Sequence, residues 1–259
     1  HVVRPELMRL PRRRPAASMT LARRAAAEAV GTALLLTAVV GSGIMAQRLA
    51  DGNLAIALLA NAVATGGALL AVILAFGPVS GAHLNPAVTL ADAWRGGISW
   101  RDAPVYIGAQ VAGALVGVAI ANSMFGLPAL FVSHHARSGA AQFLGEFVAT
   151  FGLLAVVWGC VRSRPAATPF AVAAYIVGAY WFTSSTSFAN PAVTIARALS
   201  DTFAGIRPID VPPFILAQLL GAAAATVLFQ WLAPMPEAAA ESVMLPHASG
   251  DLEVRYAVR

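Results

Sequence analysis

The sequence has no lysine: all 17 of its basic residues are arginine. Charge of either sign is scarce, at 11% of 259 residues, against roughly 25% in an average soluble domain. Hydrophobic residues make up 58% and mean hydropathy is +0.72. So little solvating surface excludes an ordinary soluble enzyme, and so much apolar content excludes disorder. There is one cysteine, Cys160, and hence no internal disulfide; near the end of an apolar run it reads as a buried, inert thiol. The first apolar segment is too long for the core of a cleavable signal peptide. A net charge of +5 would suggest nucleic acid on a soluble chain, but the placement of the arginines argues for a lipid bilayer instead.

What is abundant is uncharged sequence. No charged residue falls between Glu28 and Arg48, Asp51 and Asp92, Asp102 and Arg137, Arg164 and Arg197, or Asp210 and Glu237, and only Glu146 falls between Arg137 and Arg162. A bilayer core of about 30 Å takes ~20 apolar residues of helix. Six spans are predicted, over 26–47, 54–76, 104–124, 140–161, 168–189 and 211–233. Two stretches, 80–98 and 187–203, are apolar but too broken by Gly and Pro to cross. With both termini cytoplasmic, 13 of the 17 arginines face that side, leaving Arg48, Arg137, Arg197 and Arg207 opposite; positive charge favours the cytoplasm. The expected organisation is a flexible basic extension (1–21), a membrane domain (22–234, halves 22–124 and 139–234) and a cytoplasmic tail (235–259), with Met19 as an alternative start.

The two halves repeat. Glu28-Ala29-Val30-Gly31-Thr32 recurs as Glu146-Phe147-Val148-Ala149-Thr150, and Ala109-Gln110 recurs as Ala217-Gln218. Both short stretches carry the same string, Asn85-Pro86-Ala87-Val88-Thr89 and Asn190-Pro191-Ala192-Val193-Thr194. One copy has a chance expectation on the order of 10⁻⁴. Three spans per half is an odd number, so the second half enters the membrane inverted, and paired broken segments in such repeats point to a transport site.

Asn is a favoured N-cap and Pro belongs at the first helical position. Pro86–Arg95 and 191–201 therefore read as half-helices that start near the midplane and run back to their own sides. Their N-termini aim two positive dipole ends at the centre, which penalises a cation and spares a neutral solute. If each Asn carbonyl caps its own helix, the amide NH₂ is left to donate into a lumen. Glu28 and Glu146 read as braces for the neighbouring loops, and Gln110 and Gln218 as interhelical hydrogen-bonding groups. His83 faces an inner vestibule or braces its loop. His134 and His135 read as solvated loop residues, with no metal site.

These residues together resemble the aquaporin and aquaglyceroporin (major intrinsic protein) family. The resemblance covers about residues 22–234: six spans, both Asn-Pro-Ala half-helices, Ser80-Gly81-Ala82-His83-Leu84 ahead of the first, and both Glu and both Gln repeats. It implies an all-α membrane fold, a right-handed six-helix bundle with two re-entrant half-helices in an inverted repeat. It also implies one pore per subunit, a homotetramer in the inner (plasma) membrane, passive passage of small uncharged solutes, no enzymatic step and no cofactor.

Family members narrow at four positions located by spacing from the motif asparagines. Here they are Thr65, Gly178, Ser187 and Val193. Water-selective members are similar in placing an aromatic, a His and an Arg among these, and glycerol facilitators keep the Arg; this chain has none of them there. The resemblance thus implies a wide, weakly polar gate. Val at the Arg position resembles a bacterial subgroup linked to arsenic resistance, implying metalloid hydroxides such as arsenite and polyols such as glycerol beside water. Arg197, one turn beyond Val193, either reaches the outer vestibule or acts as an ordinary helix C-terminal cation. The alternatives are a water-selective aquaporin, an ion-coupled transporter built on inverted repeats, and a closed scaffold of the same fold.

Overall fold

The structure is a computed structural model that describes residues 19–232. The expected N-terminal extension, except residues 19–21, and the whole of the expected tail lie outside the described residues. Within them every regular element is helical: α1 (Leu21–Leu49), α2 (Leu54–Ser80), α3 (Pro86–Arg95), α4 (Ala103–Met124), α5 (Ala140–Ser163), α6 (Thr168–Phe182), α7 (Pro191–Arg197) and α8 (Val211–Leu232). Five helices long and apolar enough to cross a membrane, with the shorter α6, alternate in direction, so α1 begins and α8 ends at one face of the bundle, the near face; α4 ends and α5 begins at the far face. The helices α3 and α7 are the two half-helices.

The polarity of the bundle is inverted relative to a water-soluble protein. Val30, Leu34, Leu59, Val63, Val116, Leu144, Phe170, Leu216 and Leu220 are exposed, whereas Glu28, Gln110, Glu146 and Gln218 are wholly buried. In a bilayer that arrangement costs nothing outside and lets the polar groups pair inside. Exposed Trp94, Trp100 and Trp231 gather toward the near face and Trp181 toward the far one, the levels where amphipathic rings favour the membrane interface.

Helices without a hydrophobic force between them associate by close approach, and glycine sets that distance. A Cβ on Gly113 of α4 would stand 2.1 Å from the carbonyl oxygen of Ala29 on α1, and one on Gly221 of α8 would stand 2.5 Å from that of Phe147 on α5. Ala29 and Phe147 follow the repeated Glu28 and Glu146, so the two halves use one contact twice.

Two elements are shorter than expected. The fifth span is helical for 15 residues, about 22 Å at 1.5 Å per residue, rather than through 189. Thr183 ends it by donating to Ala179 O at 2.7 Å, and a run of hydroxyl residues follows with Thr186 and Ser187 at φ 61° and 52°. The second half-helix stops at Arg197 rather than 201: the amides of Ala198, Leu199 and Ser200 turn back to the carbonyls three residues before, at 3.2, 3.0 and 3.4 Å. The carbonyls of Ala198 and Leu199 pair with Ser133 N at 2.9 Å and Phe131 N at 3.1 Å. The thiol of Cys160 is free and half-buried, not fully buried.

The α1–α4 contact yields a direct check. Gly113→Val forces backbone apart, and overpacking of this kind costs about 1–3 kcal/mol or more. It should lower the thermal midpoint in detergent by several degrees or abolish monodisperse protein, while Gly108→Ala on the same helix, where nothing lies within 4 Å, should leave both unchanged.

Candidate functional site

A half-helix at the middle of a membrane protein interrupts the backbone where no water is available, so every N–H and C=O freed there needs a partner. In the loop before α3, Glu28 supplies them. Its Oε1 accepts from Ser80 Oγ at 2.6 Å and His83 N at 3.0 Å, and its Oε2 from Leu84 N at 2.6 Å and Gln110 Nε2 at 2.8 Å. Before α7, Glu146 accepts from Phe188 N at 2.8 Å, Ala189 N at 2.9 Å and Gln218 Nε2 at 2.6 Å. Each glutamine also donates to the threonine of its motif, Gln110 to Thr89 at 2.9 Å and Gln218 to Thr194 at 2.8 Å. Both threonines in turn donate back to their motif Asn carbonyl, at 3.1 and 2.8 Å.

The asparagines cap and cross-link. Asn85 Oδ1 accepts from Ala87 N at 2.9 Å, and Asn190 Oδ1 from Ala192 N at 3.0 Å and Val193 N at 3.3 Å. Asn85 Nδ2 donates to Ala189 O and Asn190 Nδ2 to Leu84 O, both at 2.8 Å. The amides are thus not wholly free for the lumen: one N–H of each ties the opposite loop, and the second remains. Leu84 and Ala189 sit at φ 51° and 49°, a left-handed conformation that costs a non-glycine residue about 1–2 kcal/mol. That turn presents each residue's N–H to a glutamate and its C=O to the other half's asparagine.

Between the two loops runs a narrow cavity of about 60 Å³, far below the about 300–1,000 Å³ of drug-sized pockets. The long helices contribute Leu35, Val39, Leu69, Ile73, Leu153 and Ile176, with Thr65 in line with Leu69 and Ile73 on α2; the loops and half-helices contribute Asn85, Asn190, Ser187, His83, Val193 and Arg197. His83 Nδ1 lies 3.1 Å from Thr89 Oγ1 and Nε2 lies 3.5 Å from Asp92 Oδ2, so it both faces the lumen and braces its loop. No carboxylate lines the cavity, and no group of three or more His, Cys, Asp or Glu side chains gathers among the described residues.

At the far mouth Arg137, in the segment joining α4 to α5, inserts its guanidinium among backbone carbonyls. It donates to Gly205 O at 2.7 Å, Ser185 O at 3.3 Å and Phe203 O at 3.3 Å. Burial pushes its pKa down to about 10 against the pull of Glu146, so it stays charged at neutral pH. His134 is solvated, as expected, but also tied: its N and Nδ1 meet Asp201 at 2.8 and 3.0 Å. Hydrogen bonds from His134 hold the Asp201 carboxyl below the usual range.

Comparison with known proteins agrees with this arrangement. The family model described as "Major intrinsic protein" matches residues 15–187. "Aquaglyceroporin AqpS" of Rhizobium meliloti (strain 1021) is 53% identical over 212 residues, covering 82% of this chain and 91% of that protein. The chain belongs to the major intrinsic protein family. "Probable aquaporin AqpM" of Archaeoglobus fulgidus is 32% identical over 243 residues, covering 83% of this chain and 99% of that protein. The solved aquaglyceroporin from Plasmodium falciparum superposes with a TM-score of 0.63 at 20% identity, covering 83% of this chain and 98% of that one. That likeness establishes the aquaporin fold and nothing finer. The protein is accordingly a multi-pass membrane channel of this family, passing small neutral solutes.

Within that fold the four positions expected to form the constriction do not all meet. Thr65, Ser187 and Val193 line the cavity, but Gly178 does not. Residues two apart on a helix point about 200° apart, and the lumen face of α6 is held by Val172, Ile176 and Tyr180. A Cβ at Gly178 would instead meet the ring of Phe182 at 3.7 Å, which is 59% exposed. Tyr180 is the aromatic that spacing missed: its hydroxyl donates to Thr65 Oγ1 at 3.3 Å across the cavity. The gate is therefore less open than four small side chains implied. Phe188 and Arg137 also escaped the sequence reading; Phe188 stands at the repeat position of His83, which was a usable signal.

The brace at Glu146 can be tested by itself. Glu146→Leu strips acceptors from two backbone N–H groups and one amide, at about 1–3 kcal/mol for each group left unpaired. Solute flux should fall at least about tenfold with a lower thermal midpoint, and Glu146→Gln, which keeps one acceptor oxygen, should lose clearly less.

Proposed function

We propose that the protein is a passive inner-membrane conduit that favours hydroxylated neutral solutes, polyols and metalloid hydroxides such as arsenite, over water alone. The observation that carries this reading is the mixed lining of the lumen. A polyol is likewise mixed, with a carbon backbone for Leu35, Ile73 and Ile176 and hydroxyls for Asn85, Asn190, Thr65 and Ser187. Ser187 Oγ is buried without a hydrogen-bond partner, and each Asn keeps one N–H. A trihydroxylated metalloid offers the same pattern of several hydroxyls on a compact, uncharged body. The name aquaglyceroporin borne by the Rhizobium meliloti relative points the same way.

Both termini lie in the cytoplasm on this reading, because the arginine-rich flanks of α1, α3 and α5 then fall inside. The exposed apolar faces of α1, α2 and α6 suit lipid and neighbouring copies in a homotetramer, each with its own pore. Ion-coupled transport fits less well, since such a cycle needs a titratable or cation-binding group at the midplane and the cavity wall has no carboxylate.

Proteoliposomes tested side by side for water, glycerol and arsenite flux are expected to exceed empty vesicles for all three. Val193→Met adds volume to the lumen wall without charge. It should slow glycerol and arsenite by about three- to tenfold and water by less than about twofold, since only the larger solutes fill the bore. Equal slowing of all three would remove Val193 from the constriction.

A further inference from the structure

We propose that Arg197 adds a cation barrier at the far mouth to the half-helix dipoles at the centre, and supplies a solute-orienting donor there, one helical turn outward from Val193. This rests on the channel reading above. The inverted repeat sets up a comparison that isolates the residue. Two positions before each motif Asn stands a ring, and seven after it a charge: His83 with Asp92 in the first half, Phe188 with Arg197 in the second. At the near mouth ring and carboxylate meet directly, His83 Nε2 lying 3.5 Å from Asp92 Oδ2. At the far mouth the guanidinium carbon lies 3.4 Å from the Phe188 ring centroid. A phenyl face attracts a cation but accepts no proton and carries no opposite charge, so the far couple keeps its full positive charge.

The remaining contacts leave that charge unspent. Arg197 is 2% exposed and lines the cavity, and among the described residues its guanidinium makes one hydrogen bond, from Nε to Ala204 O. Its Nη1 is buried without a hydrogen-bond partner among the described residues, as is Ser187 Oγ, which also lines the cavity. The carboxylates nearby are committed elsewhere: Glu146 to Phe188 and Ala189, Asp201 to His134, Asp210 to Arg207 and the backbone of Arg137. Arg137 adds a second positive charge 5.0 Å from the same ring, with its own donors occupied by carbonyls. A cation entering here must shed water beside two buried guanidiniums, neither of them in a direct ion pair among the described residues. A neutral hydroxylated solute meets instead a rigid donor fork and a free hydroxyl, which hold it by its oxygens.

The test measures sodium and proton leak under an imposed potential, and glycerol flux, in proteoliposomes of the whole chain. Arg197→Gln removes the charge while its amide can still reach Ala204 O. The expected result is at least about a tenfold rise in cation leak over the native protein, with glycerol flux slowed about two- to fivefold by loss of the fork but still well above empty vesicles. Arg197→Lys keeps the charge and loses the fork, so it should stay cation-tight and pass glycerol about two- to fivefold more slowly. Native-like cation exclusion in Arg197→Gln with glycerol flux retained overturns the proposal. If that variant does not assemble, Arg197→Lys decides, and a cation leak through it has the same meaning. A native protein that passes no glycerol at all refutes the channel reading instead, which separates the two failures.

Discussion

Everything in this molecule depends on how two interrupted backbones are satisfied at the centre of a membrane. A chain that stops, turns and restarts as a helix at that depth exposes amide and carbonyl groups that lipid cannot pair. The solution is one carboxylate per half, wholly buried, with every hydrogen bond it accepts aimed at the loop or at the glutamine behind it. The asparagines then tie each loop to the other, so Leu84 and Ala189 each give an N–H to their own half and a carbonyl to the opposite one. Neither loop is complete without its partner. The halves are therefore coupled through the lumen itself and not only through their outer helices.

That coupling has consequences for transport. The polar groups that reach the cavity are held by backbone geometry, and the apolar lining is made of side chains on long helices packed at glycine distance. Nothing in this arrangement must move or titrate for a solute to pass. Selectivity is left to the size of the bore and to the donors that line it. The repeat makes the two ends alike in backbone while their side chains differ, with Asp92 beside His83 at one end and Arg197 beside Phe188 at the other.

Much of this was legible in the sequence, for identifiable reasons. Absence of charge marks a span whatever its packing, and two copies of a rare string mark a repeat. Repetition then assigned Glu28 and Glu146 to the loops, because an ionisable group kept twice inside a span needs a partner, and the loops are what the span lies against. What stayed hidden depends on which way a helix faces. The sixth helix is apolar all round, so periodicity could not tell that Val172, Ile176 and Tyr180 look inward while Gly178 looks out. The early ends of that helix and of α7 were equally hidden, since uncharged sequence continues past them: residues at left-handed φ follow the first, and amides that turn back three residues end the second. The cross-links from Asn85 and Asn190 stayed hidden because a capping residue shows its own helix in the sequence but not the loop its second group will reach.

The claim that a braced, static lumen passes neutral solutes downhill is met most directly by following radiolabelled glycerol into sealed proteoliposomes under an imposed membrane potential and pH gradient. The account predicts that internal glycerol rises to the external concentration and no further, at a rate indifferent to both gradients. Accumulation above the external concentration that collapses on addition of an uncoupler would contradict it.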